Sequence, residues 1–339
     1  MAVLAPAAAA AAGAGRAYVS NQGGGLALID LETLEVAETV DLRGEEPRGL
    51  GVTADGRWIV VATRKNGNIE ILDRSTGKLV RQVRIGKNPE FVRVRGMTAF
   101  VSYEPSSEGG PPPKRGAAAG RKDDDDDEPA HIAVVDLAAG KVVRSLKAGL
   151  ETEGIEFSAD GKRLLLTNER DNTISVHDIA SGKLVKTVDL KRYGERPRGI
   201  KRSPDGQHYV ATLEFANAFV VLDAKYDVVR SVTTGQSPYG ISFDRSGDRL
   251  FVAAAKSKLL QVFDAKTWEP IAEAPIGDRC WHFTFTPDDA RILVACGRSN
   301  EVIVLDAKTL ATVQRVPLQS LPWGVVTYPK AVGSLDWPE

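Results

Sequence analysis

The chain is poor in the features that announce most chemistries. Only two of its 339 residues are cysteines and only four are histidines. There is no Cys-x-x-Cys-His run, so covalently attached haem is not indicated. Neither a Gly-rich phosphate loop nor a nucleophile–His–Asp arrangement stands out, and no dense metal cluster is visible. Lysine and arginine (44) balance aspartate and glutamate (45), and the resulting net charge of −1 points to neither nucleic acid nor a membrane surface. No apolar run reaches the roughly 20 residues of a bilayer span. No cofactor, no nucleic-acid partner and no transmembrane segment is therefore expected.

What the chain has is a repeat. An apolar-apolar-Asp triplet, with His177 in the second place of the fourth copy, ends at Asp30, Asp73, Asp136, Asp178, Asp223, Asp264 and Asp306, at intervals of 43, 63, 42, 45, 41 and 42 residues. A period of about 40 residues built from short strands is the mark of a β-propeller. The fourth copy shows the unit. An alternating strand over 153–158 is followed by a tight turn at Ala159-Asp160-Gly161 and a more apolar strand over 163–168. Two further strands cover 173–178 and 184–190, giving four antiparallel strands, A to D from the axis outward. The expected fold is an all-β, seven-bladed propeller. The chain begins on a B strand at Arg16 and ends on an A strand over 323–328, so the C-terminal strand should pair with the N-terminal strands and close the ring. The recurring Asp ends strand C before a turn, where its carboxylate can accept a backbone N–H two residues on. That structural role suffices for it.

Residues 16–329 are expected to form one propeller, with an insertion at 105–130 and a tail at 330–339. Residues 1–15 are nearly all Ala, Gly and Pro, with small-x-small sites, as in the remnant of a signal peptide. Export to the periplasm or outside the cell is the expectation, a low-complexity tail the alternative. The insertion has almost no apolar mass and should be disordered. It contains five consecutive aspartates, of which Asp123, Asp125 and Asp127 are weak metal candidates. They lack the spaced ligands of a dedicated calcium loop, so a solvated acidic tether is the preferred reading.

Residues that differ between blades are the candidates for function. Loops leading into the A strands, shaped by Pro and Gly, place Arg48, Glu90, Glu153, Arg198, Tyr239, Trp281 and Trp323 around one mouth of the channel. One arc is charged and the other aromatic, which suits an amphipathic ligand. Equally, Arg and Glu could pair with each other while the aromatic rings plug the channel. Ends of the B strands add Arg64, Glu169, Glu214 and Arg298. Of the histidines only His282 is placed to reach the channel. Cys280 and Cys296 fall nearly opposite each other across a hairpin. They could form a disulfide, remain buried thiols, or join His282 on a metal.

The segments Ala17–Asn21, Asn172–Asp178, Arg196–Ile200 and Ser203–Gly206 resemble the YVTN-repeat, YncE-like β-propeller family, and the likeness extends over residues 16–328. That family consists of exported bacterial and archaeal proteins. Related seven-bladed groups include lactonase-like propellers and proteins encoded beside quinoprotein dehydrogenases. The expected function is an exported, monomeric binding protein that recognises a small molecule or an exported protein at the mouth. The alternatives are a lactonase-like hydrolase, with Glu90 or Glu153 as base and Arg48 or Arg198 at the oxyanion, and an accessory of periplasmic quinoprotein metabolism.

Overall fold

The computed structural model describes residues 15–105 and 128–337. Its strands form seven four-stranded antiparallel sheets. The described residues contain no helix, hence none long and apolar enough to cross a membrane. The residues expected to form a signal remnant, and Asp123, Asp125 and Asp127, lie outside the described residues.

Blade IV shows the plan, with strands Thr152–Phe157, Arg163–Asn168, Thr173–Asp178 and Leu184–Asp189 running from axis to rim. B strands such as Trp58–Thr63 are buried along their whole length. Both faces of a B strand are covered by neighbouring blades, so it is continuously apolar rather than alternating. D strands lie at the rim, and Leu184 and Val185 are exposed there. Blade I joins the two ends of the chain. Its inner strand, Pro322–Tyr328, pairs antiparallel with Arg16–Asn21, so that Tyr18 faces Val326 and Val19 faces Val325. Ring closure by the C-terminal strand is as the phase of the repeat predicts.

The repeated Asp works as a turn acceptor. The carboxylates of Asp30, Asp73, Asp223, Asp264 and Asp306 each accept the N–H two residues on, at 2.8–3.0 Å. Asp136 and Asp178 accept from the third residue instead. Cations on the D strands tie successive blades together. Arg81 donates to the carbonyl of Ala138 (2.8 Å), Arg144 to that of Ile179 (2.6 Å) and Lys186 to that of Lys225 (2.7 Å), while Arg230 pairs with Glu269 (2.9 Å).

The loops that lead into the A strands are built differently from the expected Pro–Gly turn. Each is turned by a non-glycine residue in the left-handed region: Glu46, Asn88, Glu151, Arg196, Ser237, Arg279 and Leu321, at φ between 46° and 60°. Each such residue costs roughly 1–2 kcal/mol, so the geometry is imposed by the closed ring. The glycine inside the strand serves a close approach rather than a turn. A Cβ on Gly49, Gly154, Gly199 or Gly240 would lie 2.4–2.6 Å from a carbonyl oxygen of the next A strand.

The C-terminal tail does not leave the propeller. After Tyr328 the chain turns back into the channel from the face opposite the mouth. The N–H of Phe285 donates to the carbonyl of Val332 (2.8 Å) and that of Ser334 to the carbonyl of Phe283 (2.9 Å). Arg93 donates to the carbonyl of Leu335 (2.6 Å) and Lys201 to that of Asp336 (2.8 Å). Val332 and Leu335 are fully buried. Residues 330–337 thus fill the lower channel, held by side chains of blades III, V and VII.

Candidate functional site

The ring at the mouth is set by two registers. The second residue of each lead-in places Arg48, Glu90, Glu153, Arg198, Tyr239, Trp281 and Trp323. The first residue beyond each B strand adds an outer ring. There the N–H groups of Gln22, Arg64, Glu169, Glu214, Ala255 and Gly297 each donate to the carbonyl of the left-handed lead-in residue, at 2.9–3.2 Å. In blade III Glu104 takes this place, donating to Lys87 at 3.0 Å.

Arg198 is the hub of the charged arc. Its guanidinium contacts Glu153 (2.5 Å), Glu214 (2.7 Å) and Glu169. All four side chains are buried. The Tyr239 hydroxyl donates to the second oxygen of Glu153 (3.0 Å), and its ring lies under the guanidinium at 4.9 Å. Arg48 pairs with Glu90 and donates to Gln22 (3.2 Å). Arg196, on the left-handed residue before Pro197, pairs with Glu169 and lies 3.8 Å from Glu214.

Burial pushes the Glu153 carboxyl up, but Arg198 and Arg48 outweigh it and hold the group below the usual glutamate range. Burial likewise opposes the charge on Arg198, yet Tyr239, Glu153 and Glu214 bind its proton more firmly than usual. Tyr239 is pushed up by burial and by the Glu153 charge. Each group is thus locked in one protonation state near neutral pH.

The aromatic arc closes the channel below this layer. His282 takes the strand position that is glycine in most blades, and Phe91 does the same in blade III. The His282 ring stacks edge-on against Trp323 (4.4 Å) and Tyr239 (5.4 Å), with Phe91 at 6.2 Å. Its Nδ1 is 3.0 Å from the Ser334 hydroxyl of the tail. Burial lowers His282 to about 3, so the ring is neutral. Phe91, His282 and Leu335 are buried at the axis, so the mouth is closed below as a cup and does not continue as a tunnel.

Arg298 is not part of this ring. It is exposed, and Gly297 holds the equivalent place. A Cβ there would lie 1.8 Å from the Trp281 ring, so glycine lets the indole lie across the end of the strand. Arg64 belongs to the outer ring but turns to the rim, where it pairs with Glu46. Sequence reasoning missed Glu104, because the insertion that follows it hides the end of the B strand. It also missed Arg196 and Arg279, which aligning the lead-ins one residue earlier would have found. Arg196 stacks on the exposed Phe215 (5.1 Å) and Arg279 on the half-buried Trp281 (5.7 Å), giving the cup two cation–aromatic pairs on its upper edge.

Cys280 and Cys296 face each other in register and are joined by a disulfide. The bridge ties the A and B strands of blade VII at the edge of the mouth and closes a hairpin with a sequence separation of 16. Reduction is expected to lower the unfolding free energy by about 3 kcal/mol, the loop-entropy value for a ring of this size. Urea titrations with and without reductant check this.

Fold and mouth together define a seven-bladed β-propeller with a charged and aromatic cup at one end. The sequence pattern of the YNCE-like beta-propeller family matches residues 4–97. With the seven-bladed ring, this match supports a YncE-like propeller. No curated protein matches the chain. Solved structures share the fold at low identity. Hydrazine synthase of Kuenenia stuttgartiensis is 20% identical, with 86% of this chain and 92% of that one covered, at a TM-score of 0.70. The periplasmic gluconolactonase PpgL of Pseudomonas aeruginosa is 16% identical over 93% and 99%, at 0.72. A functionally unknown protein from Desulfotomaculum acetoxidans is 16% identical over 92% and 98%, at 0.75.

Proposed function

We propose that this is an exported β-propeller that binds a small ligand or a protein partner at the cup, without turning it over. The observation that carries the reading is the bonding of Arg198. Its guanidinium is shared among three buried carboxylates, and the acid that hydrolysis would use as a base, Glu153, is held below its ordinary pKa. A general base works best with a pKa near the operating pH, and here the shift runs the other way. The lattice acts as a rigid platform, and Phe215 and Trp281 with their stacked arginines are among the side chains left to meet a partner. Export is supported by the disulfide, which persists in oxidising compartments, and by the small-residue N-terminal segment.

The rival reading is a lactonase, favoured by the likeness in fold to the Pseudomonas gluconolactonase. Glucono-δ-lactone and other aldonolactones separate the two. The expected result is no acceleration above spontaneous hydrolysis, for wild type and for Glu153→Gln alike. Turnover by the wild type that is lost in Glu153→Gln would replace the binding reading with a catalytic one.

A further inference from the structure

The face that carries the cup has a second concavity at its rim, between blades II and III, with a volume of about 430 Å³. Arg64, Lys65, Arg84 and Lys87 line it, against a single lining carboxylate, Glu46. Arg64 neutralises that carboxylate, which leaves the hollow strongly cationic. Lys65 and Lys87 are exposed and have no ion-pair partner among the described residues.

Two residues that line the hollow each carry a buried polar atom without a partner. The Nη1 of Arg64 is enclosed and bonds to nothing. Asn88 is only 4% exposed; its Nδ2 donates to Glu104 at 3.1 Å while its Oδ1 is unpartnered. The amide orientation follows from chemistry, because an ionised Glu104 only accepts and must face the NH₂ end. Buried polar atoms are normally satisfied, so an open donor on Arg64 and an open acceptor on Asn88, two residues that line one cationic hollow, describe the complement of a ligand.

We propose that this rim hollow binds a small hydroxylated anion: a carboxylate or phosphate group held by Arg64, Lys65 and Lys87, with a neighbouring hydroxyl donating to Asn88 Oδ1. Charge-assisted contacts to the oxyanion supply most of the attraction, and Asn88 distinguishes a hydroxylated anion from a bare one. Of the ring residues only Arg64, whose side chain turns to the rim, lines this hollow, and none of the Arg198 cluster does.

Calorimetric titration of the full chain at low ionic strength tests the site. Threonate and glycerol 3-phosphate serve as hydroxylated probes, acetate and propyl phosphate as their bare counterparts. At least one hydroxylated probe should bind about tenfold more tightly than its counterpart, the ratio a single good hydrogen bond supplies. Which of the two binds identifies the oxyanion. The exposed pair Lys65→Glu/Lys87→Glu should weaken that binding by at least about tenfold with an unchanged melting temperature. Arg230→Glu, on a distant part of the rim, should leave it intact. No binding by either hydroxylated probe, equal affinity for hydroxylated and bare anions, or an unaffected double variant would each overturn the proposal.

Discussion

Replacing Arg198 by Met is expected to cost about 3–5 kcal/mol, the usual effect of stranding buried charge by removing its partner. Glu153, Glu169 and Glu214 would keep their burial and lose the cation they share. The pH dependence gives the prediction its sign. In the wild type the folded pKa of Glu153 lies below that of the unfolded chain. Its contribution is therefore present above the unfolded value of about 4.3 and is lost as pH falls through the folded value. In Arg198→Met burial acts on Glu153 with less opposition, and this carboxyl should titrate above its unfolded value. Its stabilising effect is then present at low pH and lost as pH rises through the folded value. Urea titrations at pH 5 and pH 8 should show the variant gaining on the wild type at the lower pH. Equal unfolding midpoints for the two proteins at pH 8 would mean that the arginine hub contributes nothing to the fold.

Two truncations at the C-terminus should differ in kind. Ending the chain at Lys330 removes the channel plug but leaves every blade complete. Burial of Val332 and Leu335 is lost, at roughly 1.5–3 kcal/mol for each side chain, so a loss of roughly 3–6 kcal/mol is expected. Arg93 and Lys201 also lose their carbonyl acceptors. Burial and the neighbouring Arg93 hold Lys201 well below the ordinary lysine pKa, and removing the plug relieves that burial by admitting water. This variant should remain a folded propeller with a lowered urea midpoint. Ending the chain at Ser320 also removes Pro322–Tyr328, the inner strand of blade I. Arg16–Asn21 then becomes a free edge facing the axis, and the ring has nothing to close it. Loss of the soluble monomer on size exclusion is the expected result. A cooperative monomeric transition in this second truncation would show that closure by the C-terminal strand is dispensable.

Much of the architecture is legible in the sequence, because a blade is a local object. The apolar-apolar-Asp triplet marks the end of each C strand, and the Asp bonds within its own turn, so distant residues do not alter its meaning. The seven ring residues were found in the same way, by comparing equivalent places in successive lead-ins. The method failed where the period is broken. The insertion after Glu104 obscured the last position of a B strand, and a shift of one residue put Arg298 where Gly297 stands. The tail carries no repeat at all. Val332 and Leu335 look like ordinary apolar residues at a chain end until a channel of matching width is there to receive them.

The partners of the charged arc lay beyond the sequence for a related reason. Arg198 is 45 residues from Glu153 and 16 from Glu214, and no local pattern links them. By itself the sequence determined the number of blades, their strand order, the closing strand and which side chains vary around the mouth, since each follows from a period read along the chain. Only the closed ring decided that the arginines and glutamates neutralise one another, that His282 and the C-terminal tail fill the axis, and that the cationic hollow lies at the rim. Those outcomes depend on distances between blades, and such distances exist only once the seven blades have met.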